Sequence, residues 1–297
     1  MGIKFWLLTK KNIRKPFAVF LILFLFSSNN SFVRGQERWT LSTSLQYSSG
    51  SYQLNNFNKI IYLYGGAGYQ TSKWGFNISV PMVAQSSGGV GQVGGMMLPN
   101  GNTSGSIMGS NGGTNSSGMM GNSGSLMNSQ SMSTFGHIGL GDLYLYGSYN
   151  VFEDNASLFS ITLNSFVKFP TANNGQGLGT GKFDVGVSAT IRQTVKSYLA
   201  FADVGYIEIG KPASINYKNP ISYGLGVGRY FDEGNYSLLL YYQAYTTIIE
   251  GYDSPKSISL GFNYKIDQRL TLSLIGAAGL SKVTSDFSFS SGLEWNL

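Results

Sequence analysis

From residue 38 onward apolar and polar positions alternate in short runs, the two-residue period of a strand whose two faces meet different surroundings. Twelve runs stand out, at 39–47, 60–69, 74–84, 138–151, 158–169, 183–195, 198–207, 221–231, 236–248, 257–266, 270–280 and 287–297. Most are near the length of a tilted strand that crosses a bilayer, about 9–11 residues. In the last run Phe287, Phe289, Leu293, Trp295 and Leu297 share one side, and Ser288, Ser290, Gly292, Glu294 and Asn296 the other. No segment follows to cover that apolar side, which suits a sheet whose greasy face meets lipid. The pattern therefore predicts an all-β fold, a twelve-stranded antiparallel transmembrane barrel.

The connections support this reading, because an outer-membrane barrel alternates long outer loops with short inner turns. Long links fall at 48–58, 85–136, 170–182, 208–220, 249–256 and 281–286, and short ones at 70–73, 152–156, 196–197, 232–235 and 267–269. A soluble sandwich would have to bury half of these aromatic faces against a second sheet. The strand parity puts Asp142, Lys168, Asp184, Arg192, Asp203, Lys265 and Glu294 in the lumen, and Lys59, Glu208 and Arg229 outward but near strand ends. A Lys or Arg facing lipid at the midplane would cost roughly 2–4 kcal/mol, and at the ends far less. Tyr47, Tyr69, Trp74, Tyr149, Tyr206, Tyr236 and Trp295 fall where an aromatic girdle belongs.

The amino terminus changes the charge picture. Lys4, Lys10, Lys11, Arg14 and Lys15 precede an apolar run at 17–26 that is too short for a spanning helix, and Val33 and Gly35 form a small-residue cleavage pattern before Gln36. Residues 1–35 are thus expected to be a signal peptide and 36–297 a single outer-membrane domain of a Gram-negative-type bacterium. Cleavage would remove six of the 20 basic residues and leave fourteen against 14 acidic ones, so no basic excess recommends a nucleic-acid partner. There is no cysteine, which excludes disulfides and thiolate chemistry.

Residues 85–136 differ from the rest: Gly, Ser and Asn predominate and no Asp, Glu, Lys or Arg occurs. Such a composition buries little surface, and it predicts a flexible, low-complexity extracellular loop that could fold into the lumen or stand outside it. Seven of the 9 methionines lie in it, namely Met96, Met97, Met108, Met119, Met120, Met127 and Met132. Thioethers can hold Cu(I) or Ag(I), but the spacing is irregular and adaptable apolar contact is the commoner use of Met. His137, the only histidine, suggests a lipid hydrolase at the outer rim, yet no serine stands at a telling spacing in the residues that follow it. The stretch at 175–182 superficially resembles a phosphate loop. It has Gln176 where Gly is needed, Phe183 after Lys182, and a strand where a helix should begin. No catalytic residue and no cofactor is assigned.

The lumen carries the remaining candidates. Asp142, Lys168 and Asp184 lie on three successive strands near their outer ends, as an ion-pair network or a selectivity constriction. Inward Gly186, Gly205, Gly224, Gly226, Gly228, Gly261 and Gly279 are expected to leave space. Tyr144, Tyr146, Phe166, Phe201, Tyr241 and Tyr245 are expected to line a path for aromatic or apolar solutes.

Several motifs have a familiar order: Gly75-Phe-Asn-Ile-Ser-Val-Pro81-Met, Gly139-Leu-Gly-Asp142-Leu-Tyr-Leu145, Lys168-Phe-Pro-Thr171, Leu178-Gly-Thr-Gly181-Lys-Phe-Asp184-Val-Gly186, Gly205-Tyr206 and Ser222-Tyr-Gly-Leu-Gly226. Across 39–297 the chain resembles the outer-membrane transporters named for the MetA pathway of phenol degradation. The resemblance implies a small barrel allied to channels for hydrophobic or aromatic compounds. Its departure is the long Met/Gly/Ser loop. The expected partners are outer-membrane lipid, a small solute and, through the C-terminal strand, the barrel-assembly machinery. Leu297 stands where such barrels usually end in an aromatic, so Trp295 is expected to share that signal.

Overall fold

The alternating runs form one closed antiparallel sheet in the computed structural model, which describes residues 37–100 and 135–297. The expected signal peptide, residues 1–35, therefore lies outside the described residues. In chain order the strands are β1 (Arg38–Gly50), β2 (Asn58–Gln70), β3 (Trp74–Gln85), β4 (Val90–Val93), β5 (Met96–Pro99), β6 (His137–Leu140), β7 (Leu143–Asp154) and β8 (Phe159–Phe169). They continue as β9 (Asp184–Val195), β10 (Tyr198–Ile209), β11 (Ile221–Phe231), β12 (Tyr236–Tyr245), β13 (Lys256–Lys265), β14 (Leu270–Gly279) and β15 (Phe287–Asn296). β6 and β7 both pair with β3 and are two halves of one stave, and β4–β5 is a separate hairpin, so the barrel has twelve staves. Closure is made by β15 against β1, from Thr40 opposite Asn296 to Ser49 opposite Phe287. Leu297 adds one more bond, its N–H donating to the Trp39 carbonyl at 2.9 Å.

The fourth stave departs from a plain strand for a local reason. Met82 pairs with Leu140 and Ser79 with Tyr144, so the β6–β7 side carries one extra residue between these pairs. This is a β-bulge, and it falls opposite Pro81, which has no N–H to give to the ladder. The Gly141 N–H donates to the Pro81 carbonyl at 2.8 Å, and the Thr171 hydroxyl bridges the break, donating to the Gly141 carbonyl and accepting from the Leu143 N–H. The bulge turns Asp142 into the lumen, where it is buried.

The outer surface is the apolar face expected from the alternation. Leu225, Val187, Ile191, Leu260 and Phe289 stand exposed on it although they belong to regular strands. In water such a belt would be untenable; against hydrocarbon it is the matching surface. Trp39 packs on Tyr69 and Trp74 on Tyr149 near the short-turn end, as girdle aromatics do. The outward charges are accommodated as their positions require. Lys59 and Glu208 sit one residue from strand ends, and the Arg229 guanidinium lies 5.1 Å from the Tyr198 ring centroid and 4.8 Å from that of Phe231.

The inward glycines correct one expectation, because neighbouring rings occupy much of the space they leave. Phe166 lies over Gly186, its direct cross-strand partner, and Phe201 over Gly226 in the same way; the Tyr241 ring covers Gly224. Phe201 and Tyr241 join Leu199, Leu239 and Ile275 in an apolar lining on one wall of the lumen. Gly226→Leu should therefore overpack the wall and lower the unfolding free energy of the refolded barrel by about 1–3 kcal/mol. Gly276→Ala, which meets only open space, should change it by less than about 0.5 kcal/mol; urea titration followed by tryptophan fluorescence compares the two.

Candidate functional site: a hairpin stopper over an aromatic chamber

The loop expected at 85–136 begins with an ordered hairpin inside the barrel. After Gln85 the chain turns into the barrel mouth and makes the hairpin β4–β5, with Val90 opposite Pro99 and Val93 opposite Met96. Gly94 and Gly95 form its two-residue tip at φ +57° and +79°, the left-handed conformation a tight hairpin turn demands. Every residue of both strands is buried. Val90, Val93, Met96, Met97 and Leu98 pack among Ile60, Tyr62, Tyr64, Val83, Ile207 and Ile209, inward-facing residues of the surrounding staves. Burying each such Val, Leu or Met side chain contributes about 1.5–3 kcal/mol. Residues 86–100 are thus folded into the outer lumen, one of the two positions the composition leaves open; residues 101–134, where the rest of the expected flexible loop falls, lie outside the described residues.

Polar contacts fasten the hairpin as well. The Gln92 side chain donates to the Tyr64 hydroxyl at 2.6 Å, and the Tyr217 hydroxyl donates to the Pro99 carbonyl at 2.6 Å. Burial holds the Tyr217 hydroxyl well above its ordinary range, so it remains a donor. Asn100 donates to the carbonyls of Gly88 and Gly177, and Gln85 to that of Gly177, tying the base of the hairpin to the third outer loop.

The central fastening is ionic. Lys168 Nζ lies 2.8 Å from Asp184 Oδ2 and 3.3 Å from Asp142 Oδ2, with all three side chains essentially inaccessible. It also donates to the Gln92 carbonyl at 3.1 Å and stands 3.0 Å from the Thr180 hydroxyl oxygen. Two carboxylates face one ammonium, and backbone donors meet the excess negative charge. Asp142 Oδ1 accepts from Ala172 N–H at 3.0 Å; Asp184 accepts from Gly94 N–H at 2.7 Å on Oδ2 and from Gly210 N–H at 2.9 Å on Oδ1. Two of the hairpin's own backbone groups, Gln92 C=O and Gly94 N–H, thus complete the cluster. The topology explains the convergence: Lys168 and Asp184 are direct partners on β8 and β9, and the bulge delivers Asp142 from the next stave.

Below the tip lies a half-open cavity of about 120 Å³. Its walls carry Tyr144, Tyr146, Phe166, Tyr241 and Tyr245, together with Asp203, and Gly94 and Gly95 form part of its boundary. Tyr144 stacks on Tyr146 at 5.7 Å between centroids, and Tyr241 on Phe201 at 5.3 Å. The Tyr241 hydroxyl donates to Asp203 Oδ2 at 2.8 Å.

The candidates from the sequence therefore divide into two groups. Asp142, Lys168 and Asp184 come together, but beneath the hairpin, where they fasten it and do not border an open path. Tyr144, Tyr146, Tyr241, Tyr245 and Asp203 come together around the cavity. Arg192 joins neither: it lies on β9 between Ser160 and Phe201, toward the short-turn end. Met96 and Met97 are packed in the apolar cluster, while Met108, Met119, Met120, Met127 and Met132 lie outside the described residues. Among the described residues no group of three or more His, Asp or Glu side chains is placed to hold a metal ion. His137 opens β6 opposite Gln85 at the rim, with its ring beside Gly88. The hairpin itself, with Gln92, Thr180 and Tyr217, was missed by the sequence reading; the signal was Val93-Gly-Gly-Met96, a turn dipeptide between apolar residues.

Removing the ammonium should leave two buried carboxylates facing each other. Lys168→Met is expected to cost about 3–5 kcal/mol and to raise hydrogen exchange across Val90–Val93 and Met96–Pro99 while β12–β14 stay protected. Hydrogen-exchange mass spectrometry of the refolded protein checks both parts.

No protein-family model matches the chain, and no curated protein matches it. Solved structures do. The COG4313 outer membrane channel from Pseudomonas putida F1 is 11% identical, with a TM-score of 0.59 over 88% of this chain and 95% of that one. The KdgM porin aligns at a TM-score of 0.47 and 6% identity over 87% of this chain and 99% of its own. The CymD monoaromatic hydrocarbon channel aligns at 0.42 and 11% over 89% of each. At such identity the first of these likenesses establishes a shared fold, the outer-membrane β-barrel.

Proposed function

We propose that this protein is an outer-membrane channel for small hydrophobic or aromatic solutes, closed in the described state by its own β4–β5 hairpin. The observation that carries the reading is the aromatic chamber inside a closed, lipid-faced barrel, capped by a hairpin that is fastened mainly through side chains of the barrel wall and outer loops. Twelve staves enclose too little room for a wide aqueous pore, and the apolar wall of Leu199, Leu239 and Ile275 favours solutes that present apolar or aromatic surface. The family resemblance of the motifs points the same way. On this reading residues 1–35 direct export and are removed, and β15 with Trp295 engages the barrel-assembly machinery. The charged cluster then governs access by holding the hairpin.

Planar-bilayer recording of the refolded barrel tests the proposal. The intact protein should pass a small current, and deletion of residues 86–134 should raise it severalfold. Silence from both proteins, with folding verified by heat-modifiable gel migration, would contradict the channel reading.

A further inference from the structure

We infer that the chamber beneath the hairpin tip is a recognition site for a single-ring aromatic amine in its cationic form, with Asp203 as the residue that selects it. This deepens the channel reading by naming the solute class of its chamber, and rests on that reading only for its biological use.

Size comes first. A half-open cavity of about 120 Å³ is of the order of the roughly 150 Å³ that encloses one benzene ring in an apolar protein interior, and its open side leaves room for a short substituent. A fused or substituted bicyclic ring would need the hairpin to move. The walls come second, because Tyr144 and Tyr146 on β7, Phe166 on the adjoining β8, and Tyr241 and Tyr245 on β12 supply aromatic surface from two sides of the barrel. Such surface packs against a flat ring and also attracts a cation, by about 0.5–2 kcal/mol per well-placed contact.

Charge decides the class. Asp203 is the one ionisable acid among the lining residues, and no Lys, Arg or His lines the chamber. The Tyr241 hydroxyl holds one carboxylate oxygen, and a carboxylate has about four lone-pair sites to offer. A solute ammonium would use that acceptor capacity and add a charge-assisted bond. A neutral hydrocarbon would satisfy the rings but displace water from the carboxylate without replacing it, at about 1–3 kcal/mol. An aromatic carboxylate would meet Asp203 with no cation between them. The remaining polar lining, Asn164, Ser222 and Gln243 among it, is neutral and does not alter the sign.

Isothermal titration calorimetry on the refolded full barrel tests this, with benzylammonium chloride, benzyl alcohol and sodium benzoate as probes. Benzylammonium should bind saturably, benzyl alcohol at least tenfold more weakly, and benzoate without saturation. Asp203→Asn should weaken benzylammonium at least tenfold, while Tyr241→Phe, which keeps the carboxylate, should retain the preference for benzylammonium over benzoate. No saturable binding of benzylammonium, equal binding of benzoate, or unchanged affinity in Asp203→Asn would each overturn the inference. Calorimetry needs no current and recording needs no ligand, so the two readings fail separately. A barrel that conducts without this preference removes the inference alone, and one that binds without conducting removes the channel reading alone.

Discussion

The closure of the sheet by β15 against β1 is the constraint on which everything else depends. A membrane-spanning sheet has no water to satisfy its edges, so each unpaired N–H or C=O would cost several kcal/mol. Ten residue pairs from Thr40–Asn296 to Ser49–Phe287 remove both edges at once. With the ring closed, the side-chain period of two divides the chain into a lipid face and a lumen face. The positions of Arg229 beside Tyr198 and Phe231, and of Lys59 and Glu208 near strand ends, follow from that division.

Closure creates an interior, and the interior must then be filled. Toward the short-turn end Phe201, lying over Gly226, and the Leu199–Ile275 wall do much of this. Toward the outer end the staves turn apolar residues inward, including Ile60, Tyr62, Val83 and Ile207. Such residues would be a liability in an open aqueous mouth and become an asset only when the hairpin covers them. The buried ions add direction to this packing. Apolar contact alone would tolerate sliding, whereas Lys168 and Asp184 each meet one backbone group of the hairpin and so define its depth. A buried ion cluster contributes little net stability but specifies a register, and here the register places a side-chain-free tip at the edge of the aromatic chamber.

Strand number, order and facing were legible in the sequence because period-two alternation is a local signal that lipid makes unusually strict. The convergence of Asp142, Lys168 and Asp184 was legible too, since they lie near the same end of successive staves. What escaped was the hairpin. Val90–Val93 and Met96–Pro99 are too short to show a period, and their Gly-rich setting reads as loop; their order comes from contacts with distant residues such as Tyr64, Tyr217 and Ile207. The glycine rows misled for a related reason. A missing side chain says nothing about which neighbour leans over it, and Phe166, Phe201 and Tyr241 do so from adjacent strands.

The hairpin occupies the lumen of the folded barrel with Gly94 against β10, where a Cβ on it would stand 3.0 Å from Ile207 Cγ2. A disulfide trap measures this directly, since the chain has no native cysteine to compete. In the doubly substituted protein Gly94→Cys/Ile207→Cys, mild oxidation should crosslink nearly all of the folded material, as seen by mass spectrometry of the disulfide-linked peptides. Free thiols at both positions, under conditions that crosslink a control pair placed at Thr43 and Leu293 across the β1–β15 seam, would show that the hairpin does not sit in the lumen.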